Sequence, residues 1–160
     1  MSSFTTKILS AEAASGAVMR WRAAGDTIVF ANGCFDLLHV GHVRYLRAAA
    51  ELGSRLVVGI NSDASTRRLK GPGRPVLPER ARAELVAAVR GVSAVVLFEE
   101  ITVEPLLRLL RPDFHAKGTD YTPDSVPEAA VARELGVAVR IVGDEKRHAT
   151  RDLLAHLARS

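Results

Sequence analysis

The chain carries a single cysteine, Cys34, among its 160 residues. One thiol forms no intrachain disulfide and no cysteine metal cluster, which fits a reducing, cytoplasmic setting. Aromatic residues make up only 5%. With no long basic tail either, that scarcity argues against a nucleic-acid partner, whose bases stack on aromatic side chains. No run approaches the roughly 18 apolar residues of a membrane span, so no membrane partner is expected. The opening residues, MSSFTTKILSAEAASGAVMRW, lack the apolar centre of a secretory signal. Internal repeats and low-complexity stretches are missing too. The expectation is one globular domain over 1–160, with residues 1–24 as a helical N-terminal extension.

What is present is a modest positive excess. There are 22 Lys and Arg against 18 Asp and Glu, a formal net charge of +4. Such a balance makes either a solvated basic surface or a site for small phosphorylated ligands. The motifs favour the second.

Short apolar runs alternate with helical periods. Strands are predicted at Thr27–Ala31, Arg55–Ile60, Ala94–Phe98, Asp113–Ala116 and Val137–Val142. Helices are predicted at Glu12–Arg22, after Gly41 along the Val43/Leu46/Ala50 face, and at Pro78–Val89, Thr102–Leu110, Ser125–Leu135 and Thr150–Ala158. Thr150 is the expected N-cap of the last, and Gly71–Pro75 the one flexible loop. This alternation predicts an α/β fold: a Rossmann-like, three-layer α/β/α arrangement around a five-stranded parallel sheet. Ligands then bind beyond the carboxyl ends of the strands, and every unusual motif follows a strand.

The first such motif is Asn32-Gly33-Cys34-Phe35-Asp36-Leu37-Leu38-His39-Val40-Gly41-His42. Gly33 suits a tight turn, and Gly41 clears space where a helix begins. Helix-start N–H groups favour anions, and His39 and His42 can aim ring N–H donors at the same point. Taken alone, the histidine pair reads equally as a cap. Two histidines are too few for a zinc site, so no protein metal centre is expected. Placed after a strand, the whole string reads as a phosphate cradle.

Gly33–His42 resembles the GxFDxxHxGH signature of the HxGH nucleotidyltransferases, the cytidylyltransferase-like group. Asn61-Ser62-Asp63-Ala64-Ser65, Arg67–Val76, Phe98-Glu99-Glu100 and Lys117-Gly118-Thr119-Asp120-Tyr121 resemble, within that group, the heptose 1-phosphate adenylyltransferases. In many bacteria that activity is fused to a sugar kinase, and elsewhere it stands alone. The resemblance runs from about Thr27 to Val142.

It implies adenylyl transfer from ATP, carried by Mg²⁺, to a sugar 1-phosphate. The expected product is ADP-heptose for the lipopolysaccharide core, made by a homodimer. A cytidylyltransferase acting on glycerol 3-phosphate or another polyol phosphate is the neighbouring alternative. A nucleotide-binding module without catalysis is the alternative of another class.

The residue assignments follow the same resemblance. His39, His42, Lys70 and Arg82 are candidates for catalysis. Asn32, Gly33, Cys34, Phe35, Asp36, Gly41, Lys117, Gly118, Asp120 and Thr150 are candidates for nucleotide binding. Arg67, Arg68 and Arg74 are candidates for phosphate binding. On physical grounds Arg82 has two readings, a chain snorkelling to water or a triphosphate contact. Asp36 can equally fix a turn through backbone N–H groups. Lys146–Asp152 departs from the family pattern: relatives carry several hydroxyls there, whereas this stretch has only Thr150, with Arg147 and Arg151 as substitute charges.

Overall fold

The computed structural model describes residues 3–145 and 149–159. A short 3₁₀ turn at Phe4–Lys7 leads into β1 (Ile8–Leu9) and α1 (Ala11–Ala23). The chain continues through β2 (Ile28–Gly33), α2 (Val40–Ala50), β3 (Arg55–Asn61), α3 (Asp63–Lys70) and α4 (Glu79–Ala87). It closes with β4 (Val92–Phe98), α5 (Glu104–Leu110), β5 (Phe114–Lys117), α6 (Ala129–Leu135), β6 (Ala138–Ile141) and α7 (Thr150–Leu157).

All strand pairs are parallel, in the order β1-β4-β3-β2-β5-β6. Strands this apolar form because both their faces are covered. In β2, Ile28 and Phe30 join Val57, Leu107, Ala14 and Val18 in one core layer. Val29 and Ala31 point the other way, into a layer with Leu46, Ile60 and Val86. The period-2 alternation of a strand thus feeds two cores, one under α1 and α5, the other under α2 and α4.

The sheet has six strands, not the five expected. Ile8 and Leu9 pair with Val95 and Val96 of β4, too short a segment for an alternation signal. Residues 1–24 therefore supply both an edge strand and α1, whose Ala14, Ala17 and Val18 are buried. A second element missed is α3. It is polar on most sides and shows no apolar stripe. Its start is fixed by Ser62, whose side chain accepts from Ser65 N–H at 3.1 Å.

Several boundaries also move. β2 runs on through Asn32 and Gly33, and β5 through Lys117, so these side chains belong to strand ends rather than loops. The helix expected from Ser125 begins only at Ala129, past Pro127. Thr150 is the first residue of α7 and not its cap. Ala149 holds the cap position, and no side chain bonds there.

The chain leaves β2 toward β3 on one side, while β5 returns on the other. The carboxyl ends of β2 and β5 thus border the topological switch point, where such sheets open to ligands. No helix among the described residues is long and apolar enough to cross a membrane.

Candidate active site

The turn after β2 is built around Phe35. Its φ of 47° lies in the left-handed region, which a bulky L-residue seldom adopts. Gly33, the expected turn-former, has a different use. A Cβ there would stand 3.1 Å from the Phe35 ring, so its missing side chain makes room for that ring. Phe35 in turn sets its ring edge-on to His42, 5.3 Å between centroids. An aromatic wedge thereby fixes one of the two histidines.

His39 and His42 form a reciprocal cap on α2. His39 Nδ1 accepts from the Gly41 N–H at 3.1 Å, and His42 Nδ1 accepts from the His39 N–H at 3.3 Å. The rings stack with centroids 3.8 Å apart. Two consequences follow. The Gly41 N–H, expected to face a ligand, is taken by His39. Since each Nδ1 is an acceptor, each neutral ring carries its proton on Nε2. The donors of this cradle are two adjacent imidazole Nε2–H groups.

Beneath the turn lies Arg82, with none of its surface exposed. Its Nε donates to Leu77 O at 3.0 Å and its Nη1 to Cys34 O and Asn61 O at 2.5 and 2.8 Å. Its Nη2 meets Asp63 Oδ1 at 2.8 Å. The guanidinium therefore clips the ends of β2 and β3 to the starts of α3 and α4. It does not snorkel to water in this structure.

Asp36 is 2% exposed and does not brace its own turn. It accepts from Arg74 Nε at 2.6 Å and from the Val76 and Leu77 N–H groups at 2.9 and 3.0 Å. Burial pushes its carboxyl up, but the Leu77 and Val76 amides and then Arg74 outweigh it, so the carboxyl ends below its ordinary value. The Gly71–Pro75 loop, expected to be flexible, is tied down through these bonds.

The basic cluster divides accordingly. Arg74 is engaged by Asp36, and Arg68 donates to Glu99 O. Arg67 and Lys70 are exposed on the last turn of α3. Cys34 Sγ lies 3.7 Å from Asn61 Oδ1, and Asn61 Nδ2 donates to Ser65 Oγ at 2.9 Å.

On the other side of the switch point, Lys117 ends β5 and is 7% exposed. Its Nζ stands 3.7 Å from Glu128 Oε2 and 4.8 Å from the Tyr121 ring centre. Burial lowers its ammonium, and Glu128 partly restores it. Nothing stands within 4 Å of a Cβ placed on Gly118, so the backbone there is open to approach. Asp120 is exposed. Thr150 Oγ1 donates to Leu37 O at 3.4 Å, which brings the start of α7 beside the histidine turn. Arg151 is exposed on α7, whereas Lys146, Arg147 and His148 lie outside the described residues.

The residue reading passed over His115, Asp63 and Glu128. His115 had a signal: a histidine inside an otherwise buried strand. Asp63 had only its place in the Asn61–Ser65 motif and Glu128 had none, because their partners Arg82 and Lys117 are supplied by tertiary contact.

A Rossmann-like sheet with paired imidazole donors on a helix start at its switch point defines a nucleotide-binding domain of the transferase type. Comparison with known proteins gives the family. A family model described as cytidylyltransferase-like matches residues 30–155. The protein HldE of Methylobacillus flagellatus, described as bifunctional, is 45% identical over 95% of this chain, which spans 31% of that protein. The HldE of Magnetococcus marinus is 52% identical over 78% of the chain and 26% of its own length. The chain thus spans about a third or less of these relatives. A crystal structure of a lipopolysaccharide core biosynthesis protein from Thermoplasma volcanium superposes with a TM-score of 0.63, at 30% identity over 74% of this chain and 95% of that one. The chain belongs to the cytidylyltransferase-like family of nucleotidyltransferases.

Proposed function

We propose that this nucleotidyltransferase transfers AMP from ATP to a sugar 1-phosphate, D-glycero-β-D-manno-heptose 1-phosphate, releasing pyrophosphate and ADP-heptose for lipopolysaccharide core synthesis. The observation that carries the reaction type is the pair of Nε2–H donors held side by side by backbone N–H groups at the head of α2. The sugar assignment rests on the resemblance of the Asn61–Val76 and Lys117–Tyr121 segments to heptose 1-phosphate adenylyltransferases. The kinship with the lipopolysaccharide core protein is in keeping with it.

In this reading an oxygen of the sugar phosphate attacks the α-phosphorus of ATP in line. A new oxygen–phosphorus bond forms as the bond to the β-phosphate breaks, and pyrophosphate carries away the electron pair. The attacking phosphate is already anionic, so no side chain has to remove a proton. The protein's contribution is position and charge. His39 and His42 donate to oxygens of the α-phosphate as charge shifts there. Arg67 and Lys70, extending from α3, meet the phosphates of ATP or of the sugar. Asn32, Gly118 and Asp120 border the nucleoside.

Mg²⁺ fits as a passenger of the triphosphate rather than as a resident of a protein cage. The carboxylates nearest the turn, Asp36 and Asp63, are engaged by Arg74 and Arg82, so phosphate oxygens and water supply the coordination. ATP as donor and the single thiol agree with a cytoplasmic setting, and a homodimer is the assembly proposed.

The test is pyrophosphate release with Mg²⁺, ATP or CTP, and a panel of sugar 1-phosphates with glycerol 3-phosphate alongside. Turnover is expected with ATP and the heptose phosphate. Preference for CTP and glycerol 3-phosphate overturns the substrate assignment. Nucleotide binding with no turnover on any acceptor overturns catalysis.

A further inference from the structure

His115 is wholly buried in β5, beside Phe30 at 5.5 Å between ring centres. It contacts Asn32, the penultimate residue of β2, with 2.9 Å between His115 Nε2 and Asn32 Oδ1. Lys117 Nζ approaches the same oxygen at 3.5 Å. An amide and a neutral imidazole can pair in two ways. The amide oxygen can accept from Nε2–H, or the amide NH₂ can donate to a bare Nε2. Histidine alone leaves both open.

Lysine does not. An ammonium has only donors, so the Asn32 atom turned toward it is the oxygen. That choice makes His115 the Nε2–H tautomer and leaves Nδ1 a bare acceptor. His115 Nδ1 is in fact one of the buried atoms with no hydrogen-bond partner, a desolvation cost the fold retains. Burial first, and then the Lys117 ammonium, push this imidazole down to about 3, so it stays neutral at physiological pH. Glu128, 5% exposed, holds the ammonium in place at 3.7 Å.

The other end of the amide is Asn32 Nδ2. It has no hydrogen-bond partner among the described residues and is not among the buried unpartnered atoms, so it meets solvent. It does so at the switch point, in the strand that leads directly into the histidine turn.

We infer that His115 is a positioning residue of the nucleotide site: together with Lys117 it locks the Asn32 amide with its oxygen inward and its NH₂ presented as a donor to the ligand. A freely flipping amide would offer an anionic or oxygen-rich ligand its own oxygen part of the time. The lock removes that repulsive state. Lys117 and His115 thus act on the ligand through one intermediary, and Asn32 is the group that touches it. This deepens the nucleotidyltransferase reading and rests on it.

Two measurements test the inference. The first is long-range proton–nitrogen NMR of the histidine rings in the full chain, from about pH 5 to 8, the range in which an ordinary imidazole titrates. His115 is expected as the neutral Nε2–H tautomer throughout. In Lys117→Met its Nε2 signal is expected to move toward the bare-nitrogen position as the amide gains freedom to turn. An Nδ1–H tautomer in the wild type, or titration near 6.5, overturns the lock.

The second is a double-mutant cycle read by steady-state turnover and by ATP calorimetry. His115→Leu is expected to lower kcat or ATP affinity about tenfold, and His115→Gln, which keeps a donor at that reach, to restore most of it. In an Asn32→Ala background the same change is expected to cost almost nothing further. Equal losses in both backgrounds mark His115 as structural only and overturn the inference. Should His115→Leu not fold, His115→Gln and the wild-type ring signals decide. If the wild type transfers no nucleotide to any acceptor, the function proposed above fails, while the ring tautomer and the ATP-binding cycle still judge the lock.

Discussion

Asp36 Oδ2 and Arg74 Nε stand 2.6 Å apart, 38 positions apart in sequence. This pair, with the Val76 and Leu77 amides on the same carboxylate, fastens the Gly71–Leu77 loop to the turn that carries the histidines. Asp36→Asn is expected to destabilise the protein by about 1–3 kcal/mol, because an amide supplies one acceptor where three donors converge. Urea unfolding checks this, as a lower midpoint at unchanged slope.

The same carboxylate predicts a pH dependence. In the folded protein its value lies below the ordinary 3.8, so folding favours the charged form. Its contribution is complete above that value and is lost as pH falls through the depressed folded value. The stability gap between wild type and Asp36→Asn should therefore be constant above about pH 4 and narrow below it. Urea midpoints collected across the acid range measure the gap, and a gap that stays level through that range contradicts the assignment.

His39 and His42 should separate stability from turnover. His42→Ala removes one ring donor and is expected to cost about 10²–10³ in kcat. His39→Ala loses a donor of the same kind and, as the N-cap residue, its bond to Gly41 N–H, an expected destabilisation of about 0.5–2 kcal/mol, whereas His42→Ala gives up only the longer reciprocal bond to the His39 N–H. Turnover and urea midpoints measured on both variants show whether the extra stability loss follows His39.

Arg82 carries the largest expected stability effect. Arg82→Met strands the Leu77, Cys34 and Asn61 carbonyls, with an expected loss of about 1–3 kcal/mol for each one left buried and unpaired. Arg82→Lys keeps the charge but not the fork that reaches Leu77, Cys34, Asn61 and Asp63 together. It should recover only part of the loss. Thermal or urea unfolding ranks the three proteins, and a Lys variant as stable as the wild type contradicts the clip.

Gly33→Ala is expected to lower turnover while leaving most of the stability. The new Cβ would press the Phe35 ring at 3.1–3.2 Å, and Phe35 sets the edge against His42. Since Phe35 is 4% exposed, the ring has little room to yield. Kinetics of Gly33→Ala beside its urea midpoint would show the split.

Much of this was legible in the chain. The apolar runs of β2, β3 and β4 announced a parallel sheet because strands covered on both faces need no polar alternation. The string Asn32–His42 announced a turn from a strand into a helix headed by two histidines, since its glycines, aromatic and histidines follow a strand at fixed spacing. Two elements escaped, β1 and α3, for the same reason. One is too short and the other too polar to show a period, and each is held by contacts with distant segments rather than by its own pattern.

The sequence by itself determined the α/β architecture, the sheet edge at which its unusual motifs gather and the identity of the paired imidazoles. These depend on local periodicity and on residues adjacent in the chain. Only the tertiary structure decided what each polar side chain is paired with. Arg82 became a buried clip, Asp36 a loop anchor, and His115 with Lys117 the setters of the Asn32 amide. Hydrogen bonds are directional and short, and apart from the Arg82–Leu77 bond their partners here lie 19 to 85 residues apart, a distance in sequence that no local pattern spans.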